Sequence, residues 1–375
     1  MEGVRVAYTL EQCWHRVPGG TAVSALEVAR AMTQVRRDVE LVGVSGKHLE
    51  DPELNFDLSI DVVGLRVSGA LLYEMSLRLN QPKVERSMAD IDLVHCTTII
   101  PFASSKKMVA TVHDLAFLHH PDFFTRRGND VFRRSLKILK KRADVLLCSS
   151  QATVDDCLSE GFAPDRVRHV ALGVRSVQAT QNDIDLVRKK YSLPAEYLLF
   201  VGTLEPRKNL ARLVGALRGR SDLPPLVIAG ADGWGDIEVP HSANVQFIGY
   251  VDDQHLGAVY AGASVMCYPS LWEGFGLPIL EAMAQGTPVV TSIGTSTQEV
   301  AGGAAILVDP LSEESIGNGI DEALRDADVL KQRGRERAAQ STWEKTAIAT
   351  ARIYDEVLNG EVVHGEVVHG EVAGS

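Results

Sequence analysis

The sequence predicts an α/β protein built from two parallel-sheet domains that face a central cleft. Three observations predict it. Short apolar strand patterns alternate with helical patterns along nearly all of the 375 residues, the signature of parallel α/β structure. That length is enough for two ordinary domains with full cores. A polar stretch over residues 174–194, with Gln178, Thr180, Gln181 and Asn182, separates two such series and reads as a linker.

The elements follow in order. In residues 1–173, Val4 to Tyr8 reads as a first strand. A Pro18-Gly19-Gly20-Thr21 turn follows, then an amphipathic helix from about 22 to 33. Further strands are expected at 39–44, 92–96, 108–112, 145–148 and 167–171, with a helix over about 130–142. The linker carries a short charged helix, Asp183 to Tyr191. In residues 195–340, strands are expected at 198–201, 226–230, 245–248, 265–268, 289–291 and 305–308. Ser341-Thr342-Trp343 opens a last helix over 341–358. The tail, 359–375, contains a five-residue repeat punctuated by glycine and reads as disordered.

The most informative segment runs from Trp272 to Met283, WEGFGLPILEAM. Two carboxylates, Glu273 and Glu281, stand eight positions apart. Pro278 suits a helix start, and Gly286 with Pro288 suits its end. The unpaired amides of that first turn, roughly Gly276 to Leu280, carry partial positive charge and can hold an anion such as a phosphate. Gly274 and Gly276 remove side chains, so a ligand can lie against the backbone. A carboxylate beside that turn accepts hydrogen bonds from sugar hydroxyls. The bland alternative is an ordinary strand–loop–helix whose acid is favoured by the dipole.

A second segment, FVGTLEPRKNL over 200–210, follows an apolar run and precedes a helix beginning near Asn209. The turn therefore lies at the carboxyl end of a strand, where open α/β sheets bind ligands. Arg207 and Lys208 can meet a diphosphate, and cations at a helix start need an anionic partner. A solvated basic pair is the alternative. Gly19 and Gly20 let the first loop approach a ligand closely, or simply make a turn. Trp14 and His15 flank an acceptor or pack within their loop. The strand ending in His113-Asp114 points to the same cleft. His113 is a candidate partner for a sugar hydroxyl, or a satisfied core histidine; Asp114 is expected to orient nearby backbone or His113.

These motifs resemble the donor site of glycosyltransferase family 4, retaining enzymes of the GT-B fold that use nucleotide sugars. The resemblance runs from the Gly19-Gly20 loop to the last helix and is strongest over 198–310. Within that family, His113-Asp114 and the phrase GTLEPRKN are most similar to the polysaccharide and O-antigen mannosyltransferase branch, which commonly uses GDP-mannose. It implies two Rossmann-like domains, an acceptor-binding first domain, a donor-binding second domain, and a last helix crossing back to the first. Lys208 aligns with the lysine that holds the donor phosphates. Many members carry arginine where this chain has Thr203, and Arg207 is placed to supply that charge. Glu273 would hold the hexose, Glu281 the ribose, and Gly249 to Val251, including Tyr250, the base. Phe275 and Leu277 complete the loop around the anion site, and His113 takes a donor-sugar role.

Composition bounds the remaining readings. A formal net charge of −11 argues against a general nucleic-acid binder. A basic cluster over 126–142 nevertheless gathers on one expected helix, either a solvated face or a contact for anionic lipid or an anionic acceptor. No apolar stretch approaches a bilayer span. No signal peptide precedes the first strand, so the cytoplasm is the expected compartment, with peripheral contact at the inner face of the plasma membrane through that helix. Five scattered cysteines show no metal spacing. No metal and no cofactor is expected; the partners are a nucleotide-sugar donor and a glycan, polyprenyl-linked or glycolipid acceptor. A nucleotide-sugar epimerase on the same scaffold, or a catalytically silent nucleotide-sugar-binding subunit, stand as alternatives.

Overall fold

The computed structural model describes residues 3–15, 19–50, 52, 58–231 and 244–360. The tail lies outside them, apart from its first two residues.

Two all-parallel sheets form the chain. The first has seven strands: β1 (Val4–Thr9), β2 (Val39–Ser45), β3 (Val62–Gly64), β4 (Leu93–Cys96), β5 (Lys107–Val112), β6 (Val145–Cys148) and β7 (Val167–His169). Their order is β3-β2-β1-β4-β5-β6-β7. The second has six: β8 (Leu198–Val201), β9 (Leu226–Ala229), β10 (Val245–Gly249), β11 (Val265–Tyr268), β12 (Val289–Ser292) and β13 (Ile306–Val308), ordered β10-β9-β8-β11-β12-β13. The central strands are buried on both faces, as β4 and β11 show along their whole length. That is why they read as continuous apolar runs rather than alternating ones.

Each sheet reverses its strand order once, between β1 and β4 and between β8 and β11. Loops leaving those paired strands diverge to opposite faces and open a crevice at the carboxyl edge. The two crevices face each other.

The last helix, Trp343–Asn359, lies on the first domain. It packs against the first helix, Gly19–Val35, and reaches β5 and β6. Ala347, Ala351 and Tyr354 recur at intervals of four and three and are fully buried there. The Tyr354 hydroxyl meets His95 Nδ1 at 2.6 Å. The chain's outward and return crossings run side by side: Val174 N–H donates to the Ser341 carbonyl at 3.0 Å. At Gly173 a Cβ would overlap the backbone of Trp343, so only glycine fits this crossing.

The fold differs from the expected elements in four places. β3 was not expected; it is a three-residue edge strand, half exposed, with too little pattern to register. The helix Gly69–Leu79 that follows was likewise missed. Gly19 and Gly20 form the first turn of their helix rather than a loop before it. The helix expected near Asn209 is split: a 3-10 turn, Pro206–Lys208, precedes Leu210–Ala216, and Asn209 between them is left-handed at φ 61°.

Candidate functional site

A cleft of about 570 Å³ opens between the carboxyl edges of the two sheets. The first domain contributes Gly19, Gly20 and His113 to its wall. The second contributes Thr203, Arg207, Lys208, Tyr250, Val251, Glu273, Gly274, Phe275, Gly276, Leu277 and Glu281. Residues from five separate sequence segments thus meet in one place, in a volume typical of ligand sites.

Two cations and two carboxylates form its floor. Lys208 Nζ donates to Glu273 Oε1 at 2.7 Å and to the Tyr268 hydroxyl. Two of its three N–H groups are so used. Arg207 donates through Nε to Glu205 at 2.6 Å, and through one terminal nitrogen to Glu273 Oε2 at 2.8 Å and the Trp272 carbonyl at 3.3 Å. Its other terminal nitrogen has no protein acceptor among the described residues. The anionic partner that the sequence reading sought in a ligand is therefore already supplied by Glu273 and Glu205. A diphosphate entering here competes with them.

Burial and charge act in opposite directions on this cluster. Burial pushes the Glu273 carboxyl up, but Arg207 and Lys208 more than offset it and hold it at about 2. Burial lowers Lys208, Arg207 lowers it further, and Glu273 opposes both; the net direction is down. The hydroxyl of Ser296 donates to the Glu273 carbonyl at 2.6 Å and fixes its backbone.

Glu281 meets a different setting. Its helix, Leu277–Gln285, begins one residue before Pro278, so the proline occupies the second helical position rather than the first. Burial raises the Glu281 carboxyl to about 7, against the opposing hydrogen bond that the Tyr260 hydroxyl donates at 2.8 Å. The helix start offers fewer open amides than the sequence implied. Pro278 has none, and Ile279 N–H donates to the Gly276 carbonyl at 2.9 Å. The amides of Phe275 and Gly276 have no protein acceptor among the described residues.

The two glycines of this loop have different reasons. Gly276 sits at φ 102°, which side-chain-bearing residues rarely adopt. At Gly274 a Cβ would overlap the His113 carbonyl. The small residue at 274 thus serves contact with the first domain, not only approach by a ligand.

His113 donates from Nε2 to the Thr97 carbonyl, 3.1 Å away. That carbonyl only accepts, so Nε2 carries the proton and Nδ1 is left as an acceptor. Burial lowers its pKa, against the Thr97 hydrogen bond. Asp114 accepts from the Ala116 N–H at 3.0 Å and so orients backbone. Trp14 stacks on His48 at 4.6 Å and donates to the Glu50 carbonyl, while His15 bonds Tyr73 at 3.1 Å. Trp14 ends the 3-10 helix Glu11–Trp14 and is half-buried, His15 is exposed, and neither lines the cleft.

The basic helix starts earlier than expected, at Arg126, and its charges divide. Arg134 pairs with Glu74 at 3.0 Å, Arg142 reaches Asn80 at 2.6 Å, and Lys140 donates to the Glu160 carbonyl at 2.7 Å. Arg126, Arg127, Arg133, Lys137 and Lys141 are exposed. Among the described residues no helix is long and apolar enough to cross a membrane.

Sequence reading missed Tyr268, Tyr260, Glu205 and Ser296. Glu205 stood two residues before Arg207 and was readable as its partner. The other three come from distant segments, and no local pattern marks them.

Two parallel sheets facing each other across a cleft at their carboxyl edges have the GT-B architecture. Residues 183–341 match the family model for glycosyl transferases group 1, and residues 18–176 that for glycosyltransferase family 4. O-antigen chain mannosyltransferase B of Escherichia coli is 31% identical over 270 residues, which are 66% of this chain and 70% of the relative. O-antigen chain mannosyltransferase RfbU of Salmonella typhimurium is 30% identical over 59% of this chain and 62% of its own length. Sucrose-phosphate synthase from Thermosynechococcus elongatus superposes with a TM-score of 0.76 at 20% identity, covering 96% of this chain and all of that one. The chain belongs to glycosyltransferase family 4, and its class of activity is glycosyl transfer.

Proposed function

We propose that the protein transfers mannose from GDP-mannose to a glycan or lipid-linked glycan acceptor, with retention of configuration. The observation that carries this reading is the convergence of Lys208, Arg207, the Phe275 and Gly276 amides, Glu273 and Glu281 on one cleft. The names of the mannosyltransferase relatives favour mannose among hexoses.

In this reading the diphosphate lies over Lys208, Arg207 and the two amides, which carry its charge as it leaves in place of a metal. Glu281 accepts from the ribose hydroxyls. Glu273 gives up part of its bond to Lys208 and accepts from the hexose. His113 meets a sugar hydroxyl through Nδ1, its Nε2–H being spent on Thr97. Tyr250 and Val251 border the base. The acceptor hydroxyl attacks from the face the phosphate leaves, and the departing phosphate takes its proton. The first domain, packed over this wall, excludes water, whose attack is the competing reaction. The exposed cations of helix Arg126–Arg142 would let the protein rest on an anionic membrane surface while reaching a lipid-linked acceptor.

A donor screen by thermal unfolding tests the reading. A ligand at a hundred times its Kd adds about 2.7 kcal/mol to stability, so GDP-mannose is expected to raise the melting temperature clearly more than UDP-glucose or ADP-glucose. Equal protection by all three, or by none, contradicts the donor assignment.

A further inference from the structure

The two walls of the cleft are joined by a contact that the reaction scheme does not use. Glu299, on the second-domain helix Ser296–Ala301, extends its carboxylate to the first domain. Both of its oxygens accept from one group, the N–H of Gln151, at 3.0 and 2.9 Å. Gln151 is the first residue of the helix Gln151–Ser159. An anion at that position answers the helix's partial positive charge. His169 Nε2 lies 3.4 Å from the same carboxylate. Glu299 is about one-third exposed, so this is a solvent-accessible contact rather than a buried ion pair.

What lies on either side of the contact gives it a role. One turn before Glu299, Ser296 holds the Glu273 carbonyl at 2.6 Å. Arg337 anchors the far end of the same helix by donating to the carbonyls of Glu299 and Val300, at 3.2 and 2.8 Å. On the other side, Thr153 and Ser149 donate to the His113 carbonyl at 3.2 and 3.1 Å. The short helix 296–301 therefore holds Glu273 and reaches the element that holds His113. Each of those two cleft residues is one hydrogen bond from a segment joined by the Glu299–Gln151 contact.

We infer that Glu299 is a positioning residue: its carboxylate latches the second domain to the amino end of helix Gln151–Ser159, setting Glu273 and His113 in register across the closed cleft. This rests on the reading of the cleft as a sugar-nucleotide site. Glu299 does not touch the donor; it acts through the alignment of residues that do.

Gln151 permits an unusually clean test. Proline is tolerated at a first helical position, where the N–H has no partner within the helix. The residue before it, Ser150, is extended at φ −139° and ψ 160°, as a residue before proline must be. Gln151→Pro thus deletes the donor N–H and spares the helix. Gln151→Ala removes the side chain, with its bond to Asp155, and keeps the N–H.

The experiment uses the full chain and variants Glu299→Ala, Gln151→Pro, Gln151→Ala and the Glu299→Ala/Gln151→Pro double. It measures GDP affinity, GDP release from GDP-mannose, and the radius of gyration of the GDP complex by small-angle scattering. Glu299→Ala and Gln151→Pro are each expected to lower kcat by roughly three- to thirtyfold, leave GDP affinity within about twofold, and enlarge the radius. Gln151→Ala should behave as wild type, and the double variant should be no worse than either single. A Gln151→Pro protein with wild-type turnover and radius, or a double variant whose losses multiply, overturns the latch. If wild type neither binds GDP nor turns over GDP-mannose, the donor reading fails instead. The radii of the ligand-free variants then decide the latch alone: enlargement supports it and no change overturns it.

Discussion

Glu273 and Glu281 stand eight positions apart, bracket the same loop and helix start, and line the same cleft, yet their surroundings drive them in opposite directions. Glu273 has Arg207 and Lys208 within 2.8 Å and stays ionised down to about pH 2. Glu281 is hydrogen-bonded only by a tyrosine hydroxyl; burial, with Asp253 and Glu27, outweighs that bond and the opposing Arg175 charge, and its carboxyl titrates at about 7. The difference teaches that burial alone does not assign a carboxylate its role; a cation in direct contact with it does. Glu273 stays an anion whose negative charge tempers the cations of Arg207 and Lys208. Glu281 is an acid whose charge switches near neutrality, where a ligand's hydroxyls can decide it.

The largest way to break this contrast is to remove the shared cation. Lys208→Ala should reduce turnover by roughly a hundred- to thousandfold, the scale for losing one donor to a developing negative charge. It should also let the Glu273 carboxyl drift upward, because Arg207 alone remains to hold it. Steady-state kinetics and titration of the variant read both effects.

Glu281→Gln comes next. A hydrogen bond from a hydroxyl to a charged group is worth about 1.5–3 kcal/mol, so GDP affinity should fall by roughly ten- to a hundredfold. The sign of the pH effect follows from the shift. The folded carboxyl is raised from 4.5 to about 7, so it is neutral below that pH and ionised above it. If ribose hydroxyls donate to the ionised form, wild-type GDP affinity should strengthen from pH 6 to pH 8 and then level off. The glutamine variant should lose that slope. Calorimetric titration across the range measures it. Stability moves the other way: ionising a group whose folded pKa is raised costs stability as pH climbs from 4.5 through 7.

The smallest effect sharpens the contrast most. Glu273→Gln removes the anion that competes with a diphosphate for Lys208 and Arg207. GDP should bind a few-fold tighter while turnover falls, and the melting temperature should drop because a buried ion pair has lost one partner. Weaker GDP binding in this variant would mean that Glu273 assists the phosphates rather than opposing them.

Much of this was readable before any coordinates, for identifiable reasons. Strands such as Leu198–Val201 and Val265–Tyr268 are buried on both faces, so they appear as unbroken apolar runs. The floor of the cleft lies in two contiguous charged segments, 202–209 and 272–283. What stayed hidden is non-local. Tyr260 reaches Glu281 across 21 residues, Ser296 reaches Glu273 across 23, and Glu299 reaches Gln151 across 148. None of these pairings leaves a spacing to read. The pairing of Arg207 and Lys208 with Glu273 was hidden for the same reason, since Glu273 and these cations are more than sixty residues apart. Even Gly274 was legible only as a glycine; its neighbour, the His113 carbonyl, belongs to the other domain.

The most direct measurement is a crystal structure of the protein with GDP bound. The account expects the diphosphate within hydrogen-bond reach of Lys208 Nζ and the amides of Phe275 and Gly276, the ribose hydroxyls on Glu281, and the Lys208–Glu273 contact lengthened from 2.7 Å. Nucleotide density elsewhere in the molecule, with that contact and Glu281 undisturbed, would contradict it.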